Sequence, residues 1–344
     1  MYGKERIYYL DILKFLAIFG VVFIHVTALG NTSEIKGILI SNFGEIFKFA
    51  VPIFLMVTGT LLLNRDYEST AAFLKRRFSR IIPPYILWII FIIFAVIYPY
   101  LITNTPIEPS IIYTNLFNFP HTWYFWLMIG AYFIIPVINA YIKTDDINAS
   151  KYLVLLFIVS SILYQTLIIF GRYTFIDLRF FITPVGYLSL GYLLSRIEFK
   201  NKNLIFIVSI ILFIITSTIE VLFAESHGLL LIFTNLPLGI ASFIDVSIVR
   251  IIQVSSVFLF VKYLPFKLTK VKRIITSISR SCYGIFFVHI FVNLLFFNYV
   301  PVTGSGTKVF LTLIAGSVLI FVISWIIVLI TSKIPYLNKF SGYD

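Results

Sequence analysis

The chain has 344 residues, 60% of them hydrophobic and only 12% charged, with a mean hydropathy of +0.99. A soluble domain is roughly 45–50% apolar and about 25% charged, so this composition excludes one and reads as an integral membrane protein. A net charge of +12 with one cysteine, Cys282, and four scattered histidines leaves no internal disulfide, no cysteine-built metal centre and no helical zinc motif, so no metal site is expected.

Ten apolar stretches are long enough to cross a bilayer, which takes roughly 20 residues. They are 8–29, 43–63, 81–102, 122–142, 152–170, 178–195, 204–223, 241–262, 281–299 and 308–331. The expectation is an all-α, polytopic fold of about ten transmembrane helices, forming one domain over 1–344 with no separate soluble domain. The first stretch is too long and too charged for the core of a signal peptide. Placing the N-terminus in the cytoplasm puts about twenty Lys and Arg in inner segments and about five in outer ones. That asymmetry obeys the positive-inside rule and predicts both termini in the cytoplasm. The basic charge is therefore a topology signal and an anchor for anionic membrane lipid, not a nucleic-acid footprint.

The first span carries Asp11, Lys14 and His25. Positions 11, 14, 18, 21 and 25 step by three and four, so they form one helical stripe. Ionisable groups at this depth face a protein interior or a wet cavity, and the stripe reads as the wall of an internal polar path. At 1.5 Å per residue, His25 lies roughly 16 Å beyond Lys14, in the outer half of the membrane. Two roles fit His25: a hydrogen bond to a neighbouring helix, or a general base, since imidazole titrates near neutral pH. Asp11 and Lys14, three apart, either neutralise each other or line the entrance for an anionic ligand.

In the second span Pro52, Thr58 and Gly59 fall at mid-membrane, and Gly59 suits close helix approach. The inner segment that follows packs Lys75, Arg76, Arg77 and Arg80 into six positions ahead of Pro83 and Pro84. Such a basic loop serves topology and lipid headgroups. Equally, a short basic helix feeding a proline-started span would aim Arg77 and Arg80, at i and i+3, inward at phosphate, with Tyr85 just beyond. The fourth span opens on His121, Thr122, Trp123, Tyr124, Phe125 and Trp126 at the outer side. These residues form an interfacial belt or a sugar-binding surface. Arg179, beside Asp177, opens the sixth span and could meet an outer substrate. Arg250, inside the eighth, needs a partner, for which Asp245 and Glu220 are candidates. His289, about eight residues into the ninth span, is either a structural hydrogen-bonder or part of the inner path.

Taken together, LDILK and VVFIH in the first span, VPIFLMVTGTLLL, FLKRRFSRIIPPY, HTWYFWLMIGAYFIIPVI and YGIFFVHIF resemble the acyltransferase-3 superfamily of integral-membrane O-acyltransferases. The resemblance runs through nearly the whole chain in the right order, and the WYFWLMIG stretch looks like the branch that acetylates surface glycans. It implies a cation, ten intervening residues and a histidine in the first span, which fall on Lys14 and His25. Arginine is the usual cation, so Lys14 keeps the charge and loses the bidentate fork. It also implies that Arg77 and Arg80 help hold an acyl-CoA donor. Relatives with a tryptophan–serine–leucine stretch carry a downstream glutamate, and no acidic residue here inherits its place. No hydrolase-like domain is expected after the membrane part.

The implied reaction transfers an acyl group, most simply acetyl, from cytoplasmic acyl-CoA to a hydroxyl of an extracytoplasmic glycan or lipid-linked sugar, at the plasma membrane of a prokaryote. His25 is the expected base, with Lys14 and Asp11 beside it in the catalytic set. Arg77, Arg80, Arg76, Tyr85 and His289 are the expected acyl-CoA contacts. His121, Trp123, Tyr124 and Arg179 are the expected glycan contacts. Acetyl-CoA enters as donor substrate and no resident cofactor is expected; a homodimer is compatible with the sequence. The rival reading is an exporter or flippase of a polysaccharide or lipid-linked glycan. Transporters often carry internal repeats, and none is visible.

Overall fold

A computed structural model describes residues 6–28, 43–110, 112, 122–169, 184–234, 247–265, 269–300 and 306–344. The described residues are helical, with no strand among them. The helices are α1 (Tyr8–Thr27), α2 (Ala50–Leu62, preceded by a 3-10 turn Phe43–Phe47), α3 (Thr70–Ile102), α4 (123–144), α5 (147–169), α6 (Val185–Arg196), α7 (Lys202–Thr234), α8 (Ile248–Lys262), α9 (Lys272–Tyr299) and α10 (Gly306–Lys333). α4 and α5 form one run, Trp123–Ile169, broken where Asp145 and Asp146 leave helical geometry and Asp146 takes φ 33°. Each predicted span thus contains a helix. By length and composition six stretches are long and apolar enough to cross a membrane: α1, Phe43–Leu62, the α4–α5 run, α7, α9 and α10.

One boundary differs from expectation. Pro83 and Pro84 do not start a helix; α3 runs through them from Thr70. An internal proline removes a backbone hydrogen bond and crowds the preceding turn, at about 3 kcal/mol or more. Here tertiary packing offsets that loss. Tyr283 donates to the Ile81 carbonyl at 2.9 Å, and Tyr85–Phe287 and Trp88–Phe291 continue the same seam along α9. Pro184, by contrast, stands at the start of α6, in the N-cap position.

α1 sits at the centre. Its apolar span is 67% buried, against 22% for the corresponding part of α7, and it packs on α2, α8, α9 and α10. The outer faces of α3, α7 and α10 expose Ile90, Phe94, Ile211, Ile214, Leu311 and Ile330, among others, as lipid-facing surfaces do. α2 and α6 meet at backbone distance. A Cβ on Gly59 would collide with the Leu188 carbonyl, and one on Gly191 with that of Met56, so these glycines permit the contact foreseen at Gly59. Thr58 turns its hydroxyl onto the Phe54 carbonyl at 2.7 Å.

Contacts sort the helix ends into two groups. One end gathers Arg6, Asn64, Arg65, Asp146, Tyr192, Ile197 and Lys262. Arg65 and Asn139 exchange two hydrogen bonds, Asn64 donates to Tyr192, and Lys262 caps the Ile197 carbonyl at 2.7 Å. The opposite end gathers Thr27, Glu45, Glu220, Ser247 and Arg250. Direct neighbours run in both senses. α1 and α9 are parallel, joined by Asp11–Ser279 and His25–His289, and α3 and α4 are antiparallel, joined by Phe73–Tyr132 and Tyr85–Phe125.

Candidate active site

The α1 stripe faces a matching stripe on α9. At the basic end Asp11 is buried and saturated. Arg6 grips it with two donors at 2.6 and 2.9 Å, Ser279 donates at 2.7 Å and Thr276 at 3.4 Å. The hydrogen bond from Arg6 to Asp11 raises the guanidinium above its usual value, so Arg6 stays charged. Asp11 therefore does not neutralise Lys14, as one reading of the sequence had it. Its role here is to pin α1 to α9, 14 residues and about 21 Å of helix from His25. Lys14 is half-buried, and its ammonium has no acidic partner among the described residues; its backbone carbonyl faces the Cys282 thiol.

Further along, His25 and His289 meet. His25 Nδ1 lies 3.0 Å from His289 Nε2, and the rings are tilted with centroids 5.0 Å apart. His289 is fully buried, and its Nδ1 is 2.9 Å from the Ile285 carbonyl. One turn on, Asn293 donates to the His25 carbonyl at 3.4 Å, while its own buried Oδ1 has no partner among the described residues. The structure thus brings His289, expected among donor contacts, to the histidine expected to be the base. Asn293 was not foreseen; its i+4 offset from His289 on an otherwise apolar helix face was the available signal. Tyr124 is buried beside this pair, its ring 4.7 Å from Phe286, which in turn neighbours His289. Trp123 packs edge-on against Tyr124. His121 and Arg179 lie outside the described residues.

The stripe is not polar throughout. Ile18 and Val21 on α1 are buried, as are Ile285 and Phe286 at the corresponding height of α9. The expected continuous polar wall is therefore two polar ends with buried apolar residues between them.

α3 contributes the cations. Arg77 is half-buried, with its guanidinium carbon 5.5 Å from the centre of the Phe73 ring. Its Nε is buried without a hydrogen-bond partner, and no acid pairs with it among the described residues. Arg80, one turn on, is more open and holds Asp344 at 2.9 Å. The segment carrying Asp344 is fastened by Arg280, which donates to the Asp344 backbone carbonyl and accepts from its N–H. Arg76 is exposed. Tyr85 is buried and stacked on Phe125 at 3.7 Å, so its ring is committed to helix packing.

At the far end Arg250 is wholly buried. It contacts Glu220 at 3.1 Å and Glu45 at 3.4 Å, and donates to Gln253 and to the Glu45 carbonyl. Of the two partners the sequence offered, Glu220 is met; Asp245 lies outside the described residues. Among the described residues no group of three His, Cys, Asp or Glu could hold a metal ion.

Neither curated proteins nor solved structures give a match to this chain. Comparison with known families matches residues 7–329 to an acyltransferase domain. That match takes in α1 with its histidine, the cations of α3 and the α9 stripe, and the chain belongs to the acyltransferase-3 superfamily of membrane acyltransferases.

Proposed function

We propose that the protein moves an acyl group, acetyl in the simplest case, from cytoplasmic acyl-CoA to a hydroxyl of an extracytoplasmic glycan or lipid-linked sugar. The basic end faces the cytoplasm of a prokaryotic cell, in keeping with the positive-inside rule. CoA phosphates sit against Arg77, Arg80 and Lys14. The thioester arm follows the α1–α9 seam, past the buried Ile18, Val21, Ile285 and Phe286, until its carbonyl reaches His25. His25 takes the proton of the attacking hydroxyl; the new C–O bond forms, the C–S bond breaks, and the same proton goes to the departing CoA sulfur. Trp123 and Tyr124 flank the glycan, together with His121 and Arg179. The observation that supports this reading best is one helix face that carries a half-buried cation without an acid, Lys14, and, about 16 Å further on, an imidazole.

The test is radiolabelled acetyl-CoA supplied to inverted vesicles that carry the protein and the host's glycans. Label should appear on a glycan or lipid fraction. His25→Ala should lower its rate by about 10²–10⁴-fold, the contribution of a positioned base, with the protein still folded and inserted. Undiminished transfer by purified His25→Ala protein would remove the base.

A further inference from the structure

Which nitrogen of His25 carries its lone pair can be worked out from its neighbours. A backbone carbonyl only accepts hydrogen bonds, so His289 Nδ1, 2.9 Å from the Ile285 oxygen, must carry a proton. His289 has no exposed surface, and its other nitrogen faces a second imidazole. A buried ring in that setting stays neutral, which leaves a lone pair on Nε2. His25 Nδ1, 3.0 Å away, must therefore be the donor. A neutral His25 then has its own lone pair on Nε2, at the other side of the ring.

We propose that His289 is the positioning residue for His25: it holds the ring at a fixed angle and in the tautomer that presents Nε2 to the substrate hydroxyl. This rests on the reading of His25 as the proton acceptor. The relay is anchored in the helix itself, because the Ile285 carbonyl is also the one that receives the backbone N–H of residue 289 in an α-helix. Its orientation is thus set by α9 and not by a mobile side chain. When Nε2 takes the hydroxyl proton, positive charge spreads to His25 Nδ1–H, and the hydrogen bond to His289 becomes charge-assisted and stronger. A neutral hydrogen-bond acceptor does this at membrane depth without bringing in a buried carboxylate, whose desolvation is costly. The proton on Nε2 then passes to the CoA thiolate, and both rings return to their starting state.

Two variants and one spectrum test this. His289→Phe fills similar space and offers no hydrogen-bond acceptor. His289→Gln places an amide oxygen near the old Nε2. With acetyl-CoA as donor and the host's membrane glycans, the Phe variant should lose about 100-fold or more in kcat, as enzymes do when a catalytic histidine loses its orienting partner. Its KM for acetyl-CoA should stay within about threefold, and the Gln variant should regain about tenfold over Phe. A Phe variant with unchanged kcat, or one that raises KM instead, overturns the proposal. Nitrogen-15 spectra of histidine-labelled protein in lipid keep it testable if His289→Phe does not fold. Both rings should show a protonated Nδ1 and a bare Nε2, and a His25 protonated at Nε2 overturns it. Transfer that survives His25→Ala removes the base itself; transfer lost there but kept in His289→Phe removes only the positioning role.

Discussion

Two arginines sit in this membrane fold under opposite terms. Arg250 is wholly buried among Glu45, Glu220, Gln253 and Ser247, and its charge is answered within the protein. Arg77 is half-buried, lies against Phe73 and has no acid paired with it among the described residues. Removing a cation from water is costly, and a fold tolerates it when counterions are built in or when a ligand supplies them. Arg250 belongs to the first case and ties the 3-10 turn before α2 to α7 and α8. On the proposed function Arg77 belongs to the second, its anion being a CoA phosphate.

The largest effect expected from this contrast is on stability. Arg250→Met takes from the buried Glu220 the cation it meets at 3.1 Å and should cost about 3–5 kcal/mol, read as a large fall in melting temperature in detergent. Adding Glu220→Gln should restore part of it, and a single variant as stable as the parent would show that Arg250 holds nothing together. Next comes Arg77→Ala combined with Arg80→Ala. Each charge-assisted hydrogen bond lost is worth about 1.5–3 kcal/mol, so affinity for acyl-CoA should fall by about tenfold or more while the melting temperature stays put. Unchanged CoA binding in a calorimeter would return both residues to topology alone. The smallest effect concerns Asp344, whose carboxylate occupies Arg80 through an exposed pair. Asp344→Asn should free that guanidinium and tighten acyl-CoA binding by no more than about fivefold, the ceiling for a surface ion pair. Weaker binding would mean that the Asp344 segment supports the donor site rather than competing with it.

Much of this was readable from the chain. Apolar runs located the helices, and steps of three and four put Asp11, Lys14 and His25 on one face of α1. What the chain left open were choices of partner. One of two readings paired Asp11 with Lys14, three residues away, and Arg6 and Ser279 take it instead. Arg250 is bound by Glu45, 205 residues distant, as well as by Glu220. The contact between His25 and His289 spans 264 residues. Helical periodicity tells which way a side chain points and not which helix stands opposite, and that information resides in tertiary packing. The proline pair misled for a related reason. Local propensity says that Pro83 and Pro84 end or begin a helix, and the seam of Tyr283, Phe287 and Phe291 against α3 overrides it.

The buried apolar residues Ile18, Val21, Ile285 and Phe286 between the two polar ends have a consequence for the cell as a whole. A water column running from one polar end to the other would let protons cross and drain the transmembrane potential, each charge releasing about 2.3 kcal/mol per 100 mV. On the proposed function, these buried hydrocarbon side chains keep that column broken. The proton-accepting ring and the cations then work from opposite ends while the bilayer stays electrically tight, with the seam opening when a thioester arm fills it.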